Sequence, residues 1–148
     1  MKLPSYKMSV GKSNHVFEFT SIGKKGKIEK MIVFEETTTQ GFYNLAFGDK
    51  DIITGMLNDI KVSNNGDSEK VLATIVRAVY IFLELNPNVW IYAEGSTKSR
   101  TRLYRMGITK YIKEAELDFY IFGSINNSWE KFMLNVDYES FAILKKKN

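Results

Sequence analysis

The sequence predicts an α+β domain with an α/β-like second half: one twisted mixed β-sheet that begins with antiparallel hairpin strands and continues as β-α-β-α-β. Three observations predict it. Apolar residues alternate with polar ones through the first third of the chain, a long and strongly apolar helical segment follows, and short apolar strands then flank a basic helical segment. The 148 residues, 44% of them hydrophobic, suit one domain spanning 1–148 with a single core and are too apolar for a disordered chain.

Residues 1–12 lack periodicity and contain Pro4, so they read as an extended lead-in. From His15 to Thr20, Phe17 and Phe19 alternate with Val16 and Glu18 as in a strand, and Gly23-Lys24-Lys25-Gly26 supplies the turn into a second strand over Lys27 to Phe34. Gly41 to Gly48 places Tyr43, Leu45 and Phe47 on one face of a third strand, closed by the turn residues Asp49-Lys50-Asp51. Ile52 to Val62 is ambiguous; Gly55 and Asn58 argue against a long helix, and 59–63 has the length of a short fourth strand. Ser68 to Leu85 is the clearest element, with apolar residues over most of the helical circumference. Such a helix must be covered on more than one side. Asn86-Pro87-Asn88 stops it, because proline cannot continue the hydrogen-bond ladder. Val89 to Ala93 reads as a buried central strand. A basic helix follows Gly95-Ser96-Thr97, with Gly107 as a point where it ends or weakens. Phe119 to Gly123, a turn at Asn126-Asn127-Ser128, a strand over Tyr138 to Leu144 and a basic tail at 145–148 complete the chain.

Composition excludes several chemistries. The chain has no cysteine, so disulfides, a cysteine nucleophile and cysteine-bearing zinc sites are ruled out; its one histidine, His15, rules out a histidine cluster. No apolar run approaches the roughly 20 residues that span a bilayer, and the first ten residues have no signal-peptide core, so a cytoplasmic protein with no membrane partner is expected. No cofactor signature is complete.

Charge is localised. Residues from Ser96 onward carry ten basic and six acidic side chains, whereas the first 95 carry eleven of each. Lys98, Arg100, Arg102, Arg105, Lys110 and Lys113 lie in one stretch without an acid. That stretch follows a strand-to-helix turn where Gly95 lets the backbone approach a ligand, Ser96 and Thr97 offer hydroxyls, and the helix start presents free N–H groups. Helical spacing puts Lys98, Arg102 and Arg105 on one stripe, with Leu103, Tyr104 and Met106 toward the core. The alternative use of Ser96 or Thr97 is an ordinary helix cap. This is not a P-loop, whose glycine and lysine spacing is absent.

A second strand-to-helix turn, Val62 to Ser68, precedes the apolar helix. Here Asn64-Asn65-Gly66 makes a tight turn and Asp67 is placed to cap the helix with its carboxylate; alternatively Asn64, Asn65 and Asp67 form a polar site for an amine, a base edge or a metal. If the strands before the two helices are parallel, both turns meet at one sheet edge.

Two resemblances follow from these residues. Tyr43-Asn44-Leu45-Ala46-Phe47-Gly48-Asp49, the Asn64-Asn65-Gly66-Asp67 turn with Glu69 to Thr74, and Gly95-Ser96-Thr97 with Ser99 to Arg105 resemble a family of small, Bacteroidota-type bacterial proteins known only as a domain of unknown function. The element order from Val62 onward, with Arg102-Leu103-Tyr104-Arg105-Met106-Gly107-Ile108 closing the second helical stretch, also resembles the layout of the N-acetyltransferase superfamily. That resemblance implies a cofactor pyrophosphate at the turn before the first helix and a general acid at Tyr104. The glycine signature of that turn is missing, however, and Asp67 and Glu69 stand where phosphates would sit and would repel them.

The function expected is binding of a phosphate-bearing ligand, nucleic acid or nucleotide, by Ser96, Thr97, Lys98, Arg100, Arg102 and Arg105, with Asn64, Asn65 and Asp67 nearby, in a toxin–antitoxin or defence setting. The alternatives are a degenerate acyltransferase and a protein-interaction domain whose aromatic residues meet a partner chain; Trp90 and Trp129 read as core or partner-contact residues rather than stacking platforms.

Overall fold

The structure, a computed structural model, describes residues 3–11, 13–58 and 63–147. One mixed sheet of nine strands carries two helices, an α+β arrangement, and the sheet is not closed. The strands are β1 (Ser9–Val10), β2 (Val16–Gly23), β3 (Gly26–Glu36), β4 (Phe42–Lys50), β5 (Leu57–Asn58), β6 (Trp90–Ala93), β7 (Phe119–Ile125), β8 (Ser128–Lys131) and β9 (Ser140–Lys145); the helices are α1 (Ser68–Leu85) and α2 (Lys98–Asp118). Their order across the sheet is β1-β2-β3-β4-β6-β9-β7-β8, with β5 paired to β4.

The hairpin at the start of the sheet forms as its sequence directs, with Gly23 opposite Gly26 and Phe17 opposite Ile32. Strands β4 and β6 are the parallel pair, in register from Phe42–Trp90 to Leu45–Ala93. A parallel pair needs a crossover, and α1 supplies it. Helix α1 spans the predicted residues and buries Val71, Leu72, Ile75, Val79, Phe82 and Leu83. The Phe82 ring lies 4.2 Å from Phe34 in a stacked pair. His15 sits edge-on to the same Phe82 ring and to Tyr43, a packing role at the strand entry.

Several sequence expectations are corrected. Strand β4 does not stop at Gly48: Asp49 and Lys50 continue it, because Asp49 is paired inside the protein rather than in a turn. Gly107 does not end α2, which runs unbroken to Asp118. A Cβ at Gly107 would lie 3.2 Å from Leu72 Cδ2, so this glycine lets the two helices approach. Met106, expected in the core, is 47% exposed. Regular structure begins before His15: within the extended lead-in β1 pairs with β2, and Tyr6 is buried against Phe19 with its N–H donating to Thr74 Oγ1 at 2.8 Å. The ambiguous segment forms turns at 52–54 and the short β5, while the strand expected over 59–63 falls mostly on residues outside those described; Ser63 is not in a strand. Strand β8 was not expected at all. Asn126 and Asn127, both at positive φ, make the turn that starts it. The basic tail is anchored in part: Lys145 pairs with Glu84 at 2.9 Å, and Lys146 lies over the Tyr120 ring.

Both helices pack on one face of the sheet, where Phe17, Ile32, Phe34, Leu45, Ile91, Phe141 and Ile143 form the core with them. At one end of this face the Tyr138 ring lies where a Cβ on Gly123 would be, 2.4 Å from Tyr138 Cγ. Gly123→Ala is therefore expected to destabilise the fold by about 1–3 kcal/mol through overpacking, read as a lower urea midpoint at unchanged slope.

Candidate functional site

The parallel register puts the carboxyl ends of β4 and β6 side by side, and both helices start from that edge. The two turns singled out in the sequence consequently meet. Ser63, Asn64, Asn65, Asp67 and Ser68 from one, with Ser99, Arg100 and Leu103 from the other, line a cleft of about 150 Å³ floored by Lys30 and Phe47. Beside it, where β4 continues past the end of β6, Asn44, Phe47, Glu94, Gly95, Ser96 and Tyr104 line a second recess of about 330 Å³.

At the α2 start, Thr97 is the cap: its hydroxyl accepts the Arg100 N–H at 3.1 Å. Gly95 is pressed against the helix, since a Cβ there would lie 2.2 Å from the Thr101 nitrogen, and its N–H donates to Thr101 Oγ1 at 3.1 Å. Arg100 does not belong with the exposed cations. It is buried, its guanidinium donates to the Phe47 carbonyl and lies 4.8 Å from the Phe47 ring centre, and it thus ties α2 to β4. Arg105 pairs with Asp137 at 2.9 Å. Lys98 and Arg102 are exposed and make no ion pair among the described residues; Ser96 is exposed beside them.

At the α1 start, the expected carboxylate cap does not form. Asp67 occupies the cap position, but its Oδ2 accepts from the Tyr6 hydroxyl at 2.5 Å and the Ser21 hydroxyl at 2.6 Å instead. Two hydroxyl donors satisfy the carboxylate while it fastens the N-terminal segment and β2 to the helix. Asn65 is buried and equally committed. It accepts the Lys25 N–H at 2.6 Å and donates to Ser21 Oγ at 3.1 Å and the Gly26 carbonyl at 2.9 Å. Asn64 is exposed, and among the described residues its side chain accepts the Gly66 N–H.

Sequence reasoning missed the charged floor of the cleft. Lys30 Nζ lies 2.5 Å from Asp49 Oδ1 and donates to Ser63 Oγ at 2.8 Å, and Ser63 donates in turn to Asp49 Oδ2 at 2.8 Å. Both charges are buried. A signal existed in the strand parity: Lys30 falls in step with Ile32 and Phe34, and Asp49 with Leu45 and Phe47, so each occupies an inward position where only a paired charge is tolerated.

Chemically, this edge joins two helix N-termini, each with a partial positive charge, to several hydroxyls, while the exposed Lys98 and Arg102 at the start of α2 line neither recess. It can neutralise and hydrogen-bond an anion. Among the described residues, no group of three or more histidine, aspartate or glutamate side chains is arranged to hold a metal ion. No helix among the described residues is long and apolar enough to cross a membrane.

Compared with known proteins, residues 2–146 match the family model of DUF6934, a family of unknown function. No curated protein and no solved structure matches the chain.

Two outcomes follow from the buried network. Asp49→Ala leaves the Lys30 ammonium buried and unpaired, and is expected to cost about 3–5 kcal/mol of stability, whereas replacing both residues by apolar ones of similar volume costs much less; denaturant titration of the single and double variants checks this. The second outcome is pH-dependent. Burial raises the Tyr80 hydroxyl to about 12, with the Asp118 and Glu114 carboxylates adding to the shift. Burial also raises Tyr6, with Asp67 adding to it. A raised tyrosine favours the neutral form in the folded state, so its contribution is complete below pH 10 and is lost as pH climbs from 10 to about 12. Unfolding midpoints measured across that window should fall, together with a late phase in the absorbance titration of tyrosinate.

Proposed function

The chain belongs to the DUF6934 family of unknown function, and we propose that this protein binds a phosphate-bearing ligand, a nucleotide or the backbone of a nucleic acid, at the edge where α1 and α2 begin. One observation carries the reading: the two strand-to-helix turns open onto one cleft beside the only parallel strand pair among the described residues. In open sheets with parallel strands, the crevice outside their carboxyl ends is where phosphates and cofactors bind, because helix N–H groups and small residues converge there.

The roles divide by burial. Ser96 and Ser99 are exposed hydroxyls at the start of α2, and Asn64 faces them from the other turn. Lys98 and Arg102 supply the exposed charge that draws the anion and pairs with it. Lys30, Asp49, Asn65, Asp67, Thr97 and Arg100 act one layer back, holding both turns in place through the contacts already described. The acetyltransferase resemblance is the weaker reading for the α1 turn, since Asp67 and Glu69 would face a cofactor pyrophosphate there.

Fluorescence anisotropy with a labelled oligonucleotide, and thermal shift with nucleotides and with acetyl-coenzyme A, test the proposal. Affinity is expected to fall steeply with salt, and Lys98→Ala and Arg102→Ala are each expected to weaken binding and to reduce the slope of log affinity against log salt by about 1. Salt-independent binding, or binding indifferent to both substitutions, would overturn it.

A further inference from the structure

On the face of the sheet opposite the helices, Phe42, Tyr120 and Trp129 are exposed and Trp90, Tyr92, Phe122 and Leu144 partly so, while Met31, Ser124 and Ser140 of the same face are buried. Strand alternation assigns its side chains, and the register aligns them in rows across the sheet. One row runs Phe42-Trp90-Leu144-Tyr120 over β4, β6, β9 and β7. The next runs Glu35-Asn44-Tyr92-Ala142-Phe122-Lys131 over β3, β4, β6, β9, β7 and β8. The rings touch one another: Phe42 stacks on Trp90 at 6.0 Å, Trp90 meets Phe122 at 5.7 Å, and Tyr92 meets Trp129 at 6.0 Å. Phe42 is nevertheless 39% exposed, Trp129 45% and Tyr120 50%. A contiguous apolar surface of this kind on a folded domain marks an interaction site.

The arrangement of charge and size on this face selects the partner. Glu35 and Lys131 end the same row, five strand spacings of about 4.8 Å apart, and both are exposed with no ion pair among the described residues. Several other charges near the face are engaged, Glu18 with Lys50 at 2.6 Å, Glu29 as acceptor of the Thr20 hydroxyl, Glu94 as acceptor of the Tyr92 hydroxyl, and Lys146 over the Tyr120 ring, while Lys27 lies at the far end of β3. A two-fold axis parallel to the strands and midway between β6 and β9 exchanges β3 with β8, β4 with β7 and β6 with β9. It sets Glu35 of one copy against Lys131 of the other, twice. It also sets Tyr92 against the small Ala142, Trp90 against Leu144, Phe42 against Tyr120 and Asn44 against Phe122. An isologous interface requires a surface to be complementary to itself, and here the charges meet their opposites while apolar side chains meet apolar ones over most of the rows.

We propose that the open sheet face is the interface of a homodimer, two copies packing sheet on sheet as a four-layer α-β-β-α assembly with reciprocal Glu35–Lys131 pairs at its rims. Aligned packing of two twisted sheets, about 10 Å apart, accommodates these rows. The inference stands on residues separate from the phosphate reading, because the α1 and α2 starts lie on the helix side and stay accessible in the dimer.

Sedimentation equilibrium and light scattering on the whole chain test it. The wild-type protein is expected to be a dimer. Glu35→Lys and Lys131→Glu are each expected to weaken association about tenfold or more, since each turns two attractions into two repulsions, and the double exchange Glu35→Lys with Lys131→Glu is expected to restore it. Both positions are exposed, so circular dichroism should show the variants folded. The chain's two tryptophans, Trp90 and Trp129, both lie on this face, so emission should shift to the blue as dimer forms. A wild-type protein that stays monomeric at high micromolar concentration overturns the proposal. So does a dimer insensitive to both single exchanges, or one that the double exchange fails to restore. Tryptophan quenching by an oligonucleotide on a monomer would give the face to nucleic acid instead. None of these outcomes bears on Lys98 or Arg102, whose substitution tests the phosphate reading separately.

Discussion

Parallel pairing of β4 with β6 is the constraint from which the architecture follows. Two parallel neighbours cannot be joined by a turn, so the chain must leave the sheet and return, and the crossover handedness of such units is nearly always right-handed. Strand β7 also runs parallel to β6, since both are antiparallel to the intervening β9. The second crossover, α2, therefore lands on the same face as α1. That single preference puts both helices on one side of the sheet and brings both helix starts to one edge. The cleft and the open aromatic face are thus two results of one topological choice.

The buried polar groups have a different origin. A chain that crosses from a strand end to a helix start leaves backbone and side-chain polar groups in the interior, and each must find a partner or cost several kcal/mol. Lys30 with Asp49 and Ser63, and Asp67 with Tyr6 and Ser21, are two local solutions. They also fix the cleft's shape before any ligand arrives, so an anion bound there would lose little free energy to ordering the protein.

Much of this was legible in the residues. Helix α1 was readable to the residue because its apolar positions follow a helical period and Pro87 stops it. The hairpin followed from alternation and Gly23 to Gly26. The convergence of the two turns followed from strand order as a conditional, settled once β4 and β6 proved parallel. What was not legible depended on tertiary partners. Asp67 looks like a helix cap from sequence, and only the approach of Tyr6 and Ser21 redirects its carboxylate. Arg100 looks like one more cation in a basic run, and only the Phe47 carbonyl and ring beneath it make it interior. Gly107 looks like a helix terminus because local propensity says nothing of Leu72 across the interface. Strand β8, with all four residues exposed, has no apolar stripe to betray it.

Sheet order also bears on how the protein is made. Strand β9 is synthesised after β7 and β8, yet it lies between β6 and β7 and, among the described residues, is what joins the two halves of the sheet by hydrogen bonds. Until it emerges from the ribosome, β6 and β7 each present an unpaired apolar edge, the kind of template to which another nascent chain can add a strand. The early hairpin and α1 can assemble meanwhile, but the centre of the molecule has to wait. The pairing that joins the two halves of the sheet can therefore form only after Ser140–Lys145 has been made.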